Sequence, residues 1–137
     1  MRAGTRRQAA GGAAADLACV LLFVLIGRSS HHDGGGLGGL WSTLWPFAMG
    51  ALTGLLAARF WRRPTAVLPT GVIVWLSTVV IGMVLRVLAG QGTAVAFVVV
   101  ALAFLGLFQL GWRIAWRLFG PLRHRTHSSV DANVPSD

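Results

Sequence analysis

Asp16 lies within an apolar segment and is the residue whose surroundings point most directly to chemistry. A carboxylate inside a membrane is costly unless it is protonated, hydrated or paired with a cation. Arg113 and Arg59 are the candidate partners, because both are predicted to lie toward the same side of the membrane. Asp16 is therefore interpreted either as an intramembrane site for a proton or cation, or as part of a structural ion pair or an interfacial helix N-terminus.

A second group of polar residues is predicted to gather at the opposite face of the membrane. These residues come from the outer ends of two apolar segments and from the first loop. They are Arg28, His31, His32, Asp33 and Arg86. Arginine presents forked donors to carboxylate or phosphate, and imidazole titrates near neutral pH. The group is therefore interpreted either as an anion-binding or pH-sensing mouth, or as solvated side chains with an arginine that snorkels to the interface.

We expect no catalytic residues, no metal site and no cofactor. Cys19 is the only cysteine, which excludes a disulfide within the chain and any multi-cysteine metal site. The consecutive residues 31–33 are predicted to point in different directions in a flexible loop, which disfavours a metal site there. For the same reason, Ser29, Ser30, His31 and Asp33 are not expected to form a catalytic triad. No histidine lies within an apolar segment to bind haem. Because no nucleophile and base occur at workable positions, we expect a protein that is not an enzyme.

Four apolar segments must position these residues. The chain of 137 residues is 55% hydrophobic and 12% charged, with a mean hydropathy of +0.67. Ordinary soluble domains have about 25% charged residues, so this composition indicates an integral membrane protein. Each segment is close to the ~20 residues that cross a hydrocarbon core as a helix. The predicted spans are about 9–27, 40–60, 67–88 and 93–112.

The arginines predict how these spans are oriented. All twelve basic residues are arginine, and a four-span arrangement places ten of them on one side, with only Arg28 and Arg86 opposite. By the positive-inside rule, both termini are cytoplasmic in a multi-pass protein of the cell (inner) membrane. The net charge is +8, yet the arginines flank apolar runs and form no basic face, so the expected partner is the lipid bilayer and not nucleic acid.

Short segments flank the transmembrane domain, which is predicted to cover residues 9–119. Residues 1–8 form a basic cytoplasmic tail. Beyond residue 112 the last helix is expected to continue along the cytoplasmic interface. Gly120 and the proline after it end that helix, and residues 120–137 are predicted to be a disordered cytoplasmic tail.

The second span is preceded by a glycine-rich run at residues 34–39. This run is interpreted as a flexible outer linker and not as a nucleotide-binding loop, because it follows a membrane helix and not a strand. Pro46 is expected in the first turn of a helix that begins near Ser42, where its missing N–H costs nothing. The alternative is a proline kink inside the helix.

Small residues within the spans predict close packing of helices. Gly50 and Gly54 form a GxxxG pair, and Thr78 with Gly82 repeats the small-xxx-small spacing. These pairs serve either packing within one bundle or a face between two copies of the chain. Trp75 either lines a cavity or satisfies its indole N–H against a neighbouring helix.

A set of residues spread over the four spans carries a family resemblance: Asp16, Phe23, Gly27, Arg28, His31, Trp45, Pro46, Phe47, the run 71–75, Thr78, Gly82, Arg86, Phe97, Gly111, Trp112 and Arg113. On these residues, the chain resembles the small bacterial membrane proteins grouped as domain of unknown function 3054, over about residues 13–116. The resemblance implies a four-span inner-membrane protein and supplies no activity, substrate or catalytic residue.

The sequence therefore predicts an all-α, polytopic integral membrane protein, a bundle of four transmembrane helices with both termini cytoplasmic. Three functional hypotheses stay open. The first is a structural or accessory component that assembles as a homo-oligomer or within a larger membrane complex. The second is a small homo-oligomeric transporter or channel that uses Asp16, with Trp75 and Arg113 as further intramembrane candidates and Arg28, His31 and Arg86 at the outer mouth. The third is an intramembrane enzyme.

Overall fold

Four long α-helices make up the described part of the chain. The computed structural model describes residues 3–31 and 35–120, with side chains up to residue 29 in the first of these ranges. A short irregular turn at Val67–Gly71 runs directly into the third helix. The bounds of the helices are Ala3–His31 (α1), Gly36–Ala57 (α2), Val72–Leu88 (α3) and Val95–Phe119 (α4).

All four helices are long and apolar enough to cross a membrane. The shortest spans, Gly36–Ala57 and Val67–Leu88, have 22 residues each, and the second of them comprises α3 and the turn before it. At about 1.5 Å per helical residue, this length is enough for the ~30 Å of a hydrocarbon core. Large apolar side chains are exposed on every helix, among them Leu25, Leu56, Val80 and Leu107. Apolar side chains on the outside as well as the inside suit a lipid environment. The expected all-α, four-helix membrane architecture is confirmed.

Two helices, α1 and α4, extend beyond their predicted spans, whereas α2 ends at Ala57 instead of residue 60. α1 is longer than 9–27 in both directions, and α4 runs without a break to Phe119. The segment beyond residue 112 is therefore a direct continuation of the transmembrane helix. The predicted C-terminal tail beyond Gly120, together with residues 32–34, lies outside the described residues.

α2 begins earlier than its glycine content suggests. Its first residue is Gly36, so Pro46 lies well inside the helix and the expectation of a first-turn proline is wrong. The cause is a tertiary contact, since a Cβ at Gly39 would lie only 2.9 Å from Nη1 of Arg28. Packing against α1 thus holds the glycine run in a helix despite its low helix propensity.

The four helices form a ring in which each packs against its neighbours in sequence. α2 and α3 make the most extensive pair, and contacts between α1 and α4 close the ring. Because successive helices alternate in direction, the start of α1 and the end of α4 lie at the same end of the bundle, which we call the terminal end. The α2–α3 connection also lies there. The opposite end, with the other two connections, is the distal end.

Glycines let α2 and α3 approach closely. A Cβ at Gly50 would lie 2.8 Å from the carbonyl oxygen of Thr78, and one at Gly54 would lie 2.8 Å from Cα of Val74. Both neighbours are backbone atoms, which cannot move aside without separating the helices. Of the two interpretations of the GxxxG pair, the structure uses packing within one chain.

An aromatic cluster fills the core between the bundle centre and the distal end. The ring centroid of Phe23 lies 5.3 Å from that of Phe47, 5.8 Å from that of Phe97 and 5.6 Å from that of Phe104. Gly82 of α3 leaves space for the ring of Phe47, because a Cβ at position 82 would lie 2.6 Å from that ring. Aromatic pairs of this kind each contribute about 0.5–1.5 kcal/mol beyond area burial, so the cluster ties the helices together.

We expect Gly54→Ala to destabilise the protein by about 1–3 kcal/mol, because the added methyl group forces α2 away from α3. The matched control is Gly111→Ala, since a Cβ at that position on α4 meets nothing within 4 Å. The control should be neutral or stabilising by up to about 1 kcal/mol through helix propensity. Thermal unfolding in detergent, followed by circular dichroism, measures both variants. Equal unfolding midpoints would contradict the close approach.

Candidate functional site

A fully buried ion pair joins the first helix to the last. Nη1 of Arg113 lies 2.6 Å from Oδ1 of Asp16, and Nη2 lies 2.6 Å from Oδ2. Both side chains are 0% exposed. This two-pronged arrangement is the strong geometry of arginine with carboxylate. Of the two candidate partners, the structure selects Arg113, whereas Arg59 lies exposed in the α2–α3 connection.

The ion pair lies within the bundle and not at its surface. Asp16 is the fourteenth of the 29 residues of α1, so it does not begin a helix. Arg113 lies on the part of α4 that approaches the terminal end. A lone charge at this depth would be costly, and the low dielectric that makes it costly also strengthens the attraction between the two partners.

Further contacts fix the geometry of the pair. Nε1 of Trp112 donates a hydrogen bond of 3.0 Å to Oδ1 of Asp16. The guanidinium carbon of Arg113 lies 4.5 Å from the centroid of the Trp112 ring, a cation–π contact. Nη1 of Arg113 also donates to the carbonyl oxygen of Gln109 at 2.8 Å. Donors thus occupy both carboxylate oxygens, and the guanidinium is held by α1 and by its own helix.

A line of polar side chains continues from the ion pair toward the centre of the bundle. Nε2 of Gln109 lies 3.4 Å from Oγ1 of Thr78, which donates to the carbonyl oxygen of Val74 at 2.6 Å. Two atoms in this line, Nε of Arg113 and Oε1 of Gln109, are buried without a hydrogen-bond partner. Protein interiors rarely leave such atoms unpaired, so unused hydrogen-bonding capacity is concentrated here.

Two glycines make space for the ion pair. A Cβ at Gly71 would lie 3.0 Å from Cδ of Arg113, and one at Gly12 would lie 3.4 Å from the indole of Trp112. Sequence reasoning did not assign these glycines, nor the parts of Trp112 and Gln109. A signal for Gln109 was available, because it is the only amide side chain within the predicted spans and precedes Arg113 by one helical turn.

The remaining predicted site residues lie apart from the ion pair. Trp75 donates its indole N–H to the carbonyl oxygen of Leu102 at 3.0 Å, which joins α3 to α4. Of its two interpretations, the structure therefore shows the indole satisfied by a neighbouring helix. Arg28 and Arg86 line a common cavity of about 180 Å³ at the distal end. The side chain of His31 lies outside the described part of the chain.

A second cavity, of about 390 Å³, is lined by Trp112, the residue that donates a hydrogen bond to Asp16. Small residues of α1, including Gly11 and Gly12, form one wall, and the rings of Trp112 and Trp116 form another. Since Trp112 both lines this cavity and binds Asp16, its indole stands between the cavity and the carboxylate.

A protein-family model matches residues 13–116, a range that contains the ion pair, the distal arginines and the GxxxG pair. The family is described as a protein of unknown function (DUF3054). The chain belongs to this family. The resemblance noted in the sequence is thereby confirmed. No curated protein and no solved structure matches the chain. The matched range contains both residues of the ion pair and every residue that lines the distal cavity.

We expect Arg113→Met to destabilise the protein by about 3–5 kcal/mol, because it leaves the Asp16 carboxylate buried without its cation. The double variant Asp16→Leu/Arg113→Met removes both charges and should recover most of this loss. Arg117→Met, one turn farther along α4 at an exposed position, is the control and should have little effect. Unfolding in detergent measures all three variants. If the double variant were less stable than Arg113→Met, the main role of each charge would not be to neutralise the other.

Proposed function

We propose that this protein is a non-enzymatic structural or accessory component of the inner membrane. The observation that carries the proposal is the closed ion pair of Asp16 and Arg113. A carboxylate that couples transport must bind and release its ion in every cycle. Asp16 instead has both oxygens occupied by donors from α4, in a geometry that favours permanent pairing.

The environment of the helices supports a structural role for the pair. In lipid, apolar side chains gain little by leaving the bilayer, so helix association depends on close packing and on polar contacts. α2 and α3 have the glycine contacts described above. α1 and α4 have the ion pair, and the indole of Trp112 adds to the same junction. The charged residues thus add a polar contact to the aromatic packing of Phe23 against α4.

Assembly with further chains is part of this proposal. Gly50 and Gly54 already pack against α3, so they are not available to a second protein. We propose that the protein assembles, as a homo-oligomer or within a larger membrane complex, through the outward apolar faces of its helices. Leu107 and Leu56 illustrate how much apolar surface these faces offer, since more than three-fifths of each side chain is exposed.

A small transporter or channel is the second candidate. The observation in its favour is the polar line that leads from Asp16 through Arg113 and Gln109 to Thr78, with a cavity beside one end of it. In this role, opening of the Asp16–Arg113 pair would admit a proton or cation from the cavity next to Trp112. The Phe23 cluster lies between this line and the distal cavity, so the path would also require those rings to move.

The double variant Asp16→Leu/Arg113→Met distinguishes the two candidates. For the structural role we expect no proton or cation flux above that of empty vesicles in proteoliposomes, with wild type or variant. We also expect native mass spectrometry to show that the wild-type protein and the double variant bind the same partner chain, or a second copy of this chain, in the same stoichiometry. Flux through the wild-type protein that is lost in the folded double variant would overturn the structural proposal and support transport.

We further propose that both ends of the chain are cytoplasmic. The support is the arginine distribution, since Arg59, Arg62 and Arg63 lie at the terminal end and only Arg28 and Arg86 lie near the distal end among the described arginines. A reporter fused after Asp137 is expected to be active only in its cytoplasmic form. A reporter inserted within residues 32–34 is the matched control and should report the opposite side. The reverse pattern would contradict the orientation.

A further inference from the structure

The fold brings the two distal arginines to one place. Arg28 comes from the last third of α1 and Arg86 from the end of α3, and both line the cavity of about 180 Å³. The other described arginines lie toward the terminal end. The positive-inside rule disfavours arginine on the distal side, which makes the convergence of both distal arginines on a single cavity a specific feature.

Arg86 is held in place by groups that carry no charge. Its Nη2 donates to the carbonyl oxygen of Gly92 at 3.1 Å, and its guanidinium carbon lies 4.7 Å from the centroid of the Phe97 ring. Its Nε is buried and has no hydrogen-bond partner. Within residues 3–31 and 35–120, Asp16 is the only acidic residue, and it is paired with Arg113. Arg86 is therefore a fixed cation with an unused donor.

Arg28 is positioned from the other side of the cavity. A Cβ at Gly39 would lie 2.9 Å from both Nη1 and Nη2 of Arg28 and 3.2 Å from Cζ, so the Nη edge of the guanidinium faces the backbone of α2. Thr43, one turn farther along α2, also lines the cavity. Phe23 and Phe97 provide apolar walls. The cavity thus combines two guanidinium groups and a hydroxyl group with two aromatic walls.

We propose that this cavity binds a single phosphate group, carried either by an anionic lipid or by a free phosphate ion. Guanidinium groups match the geometry of phosphate oxygens, and two of them line this one cavity. The volume lies below the roughly 300–1,000 Å³ of sites for drug-sized ligands, which fits a headgroup and not a larger molecule. Both arginines lie near the distal ends of their helices, from which long basic side chains can extend to a membrane interface.

Chemical labelling tests the site in the unaltered protein. Phenylglyoxal modifies accessible guanidinium groups, and peptide mass spectrometry reports each arginine separately. In a detergent without phosphate, inorganic phosphate is expected to slow labelling of Arg28 and Arg86 several-fold and to leave Arg62 and Arg117 unchanged. If the source is lipid, only added phosphatidylglycerol protects the two distal arginines, and phosphatidylcholine protects them less. Absence of selective protection in both arms would overturn the proposal.

Variants test the role of Arg86 in the same binding. Arg86→Lys keeps the charge but loses Nε and the fork, and should weaken phosphate binding about tenfold. Arg86→Gln should abolish it, whereas the control Arg62→Gln should leave it unchanged. Calorimetric titration with inorganic phosphate covers the free ion, and native mass spectrometry counts retained phosphatidylglycerol. An unchanged unfolding midpoint of Arg86→Lys shows that the fold persists. Unchanged binding and unchanged lipid retention in this variant would overturn the proposal.

Discussion

The ion pair between Asp16 and Arg113 is the interaction on which the closure of the helix ring depends. Each charge alone would be expensive within lipid, and each finds its neutralising partner only when α1 lies beside α4. The surrounding structure is shaped to permit this contact. Gly71 leaves space for the arginine stem, and Trp112 adds a donor to the carboxylate. Because both charges need this contact, they favour the arrangement in which α1 packs against α4.

The bundle divides along its axis into regions of different chemistry. The half nearer the terminal end contains the ion pair and, from it toward the bundle centre, the fully buried Gln109 and Thr78. Beyond them, the rings around Phe23 fill the core, and Arg28 and Arg86 line the cavity at the distal end. The aromatic cluster separates the two polar regions. The bundle thus has a neutralised pair of charges in one half and an arginine-lined cavity at the end of the other.

Features that depend on a short stretch of sequence could be predicted, and features that depend on contacts between distant residues could not. Asp16 could be singled out because a charge in an apolar run is a local anomaly, and the helical membrane class followed from hydropathy alone. The start of α2 could not be found in this way. Its glycines have a low helix propensity and therefore predict a linker. In the structure, the guanidinium of Arg28 packs against Gly39, and α2 includes the glycines from Gly36 onward. Tertiary contact overrides local propensity there.

By itself, the sequence determined the all-helical class, the number of membrane helices and the residues whose burial would need compensation, because hydropathy and charge are properties of short segments. The tertiary structure alone decided that Asp16 pairs with Arg113, 97 positions away, and that the GxxxG pair serves α3 of the same chain. It also decided that Arg28 and Arg86 share a cavity. These outcomes depend on which helix faces are adjacent in space, and a linear pattern does not specify adjacency.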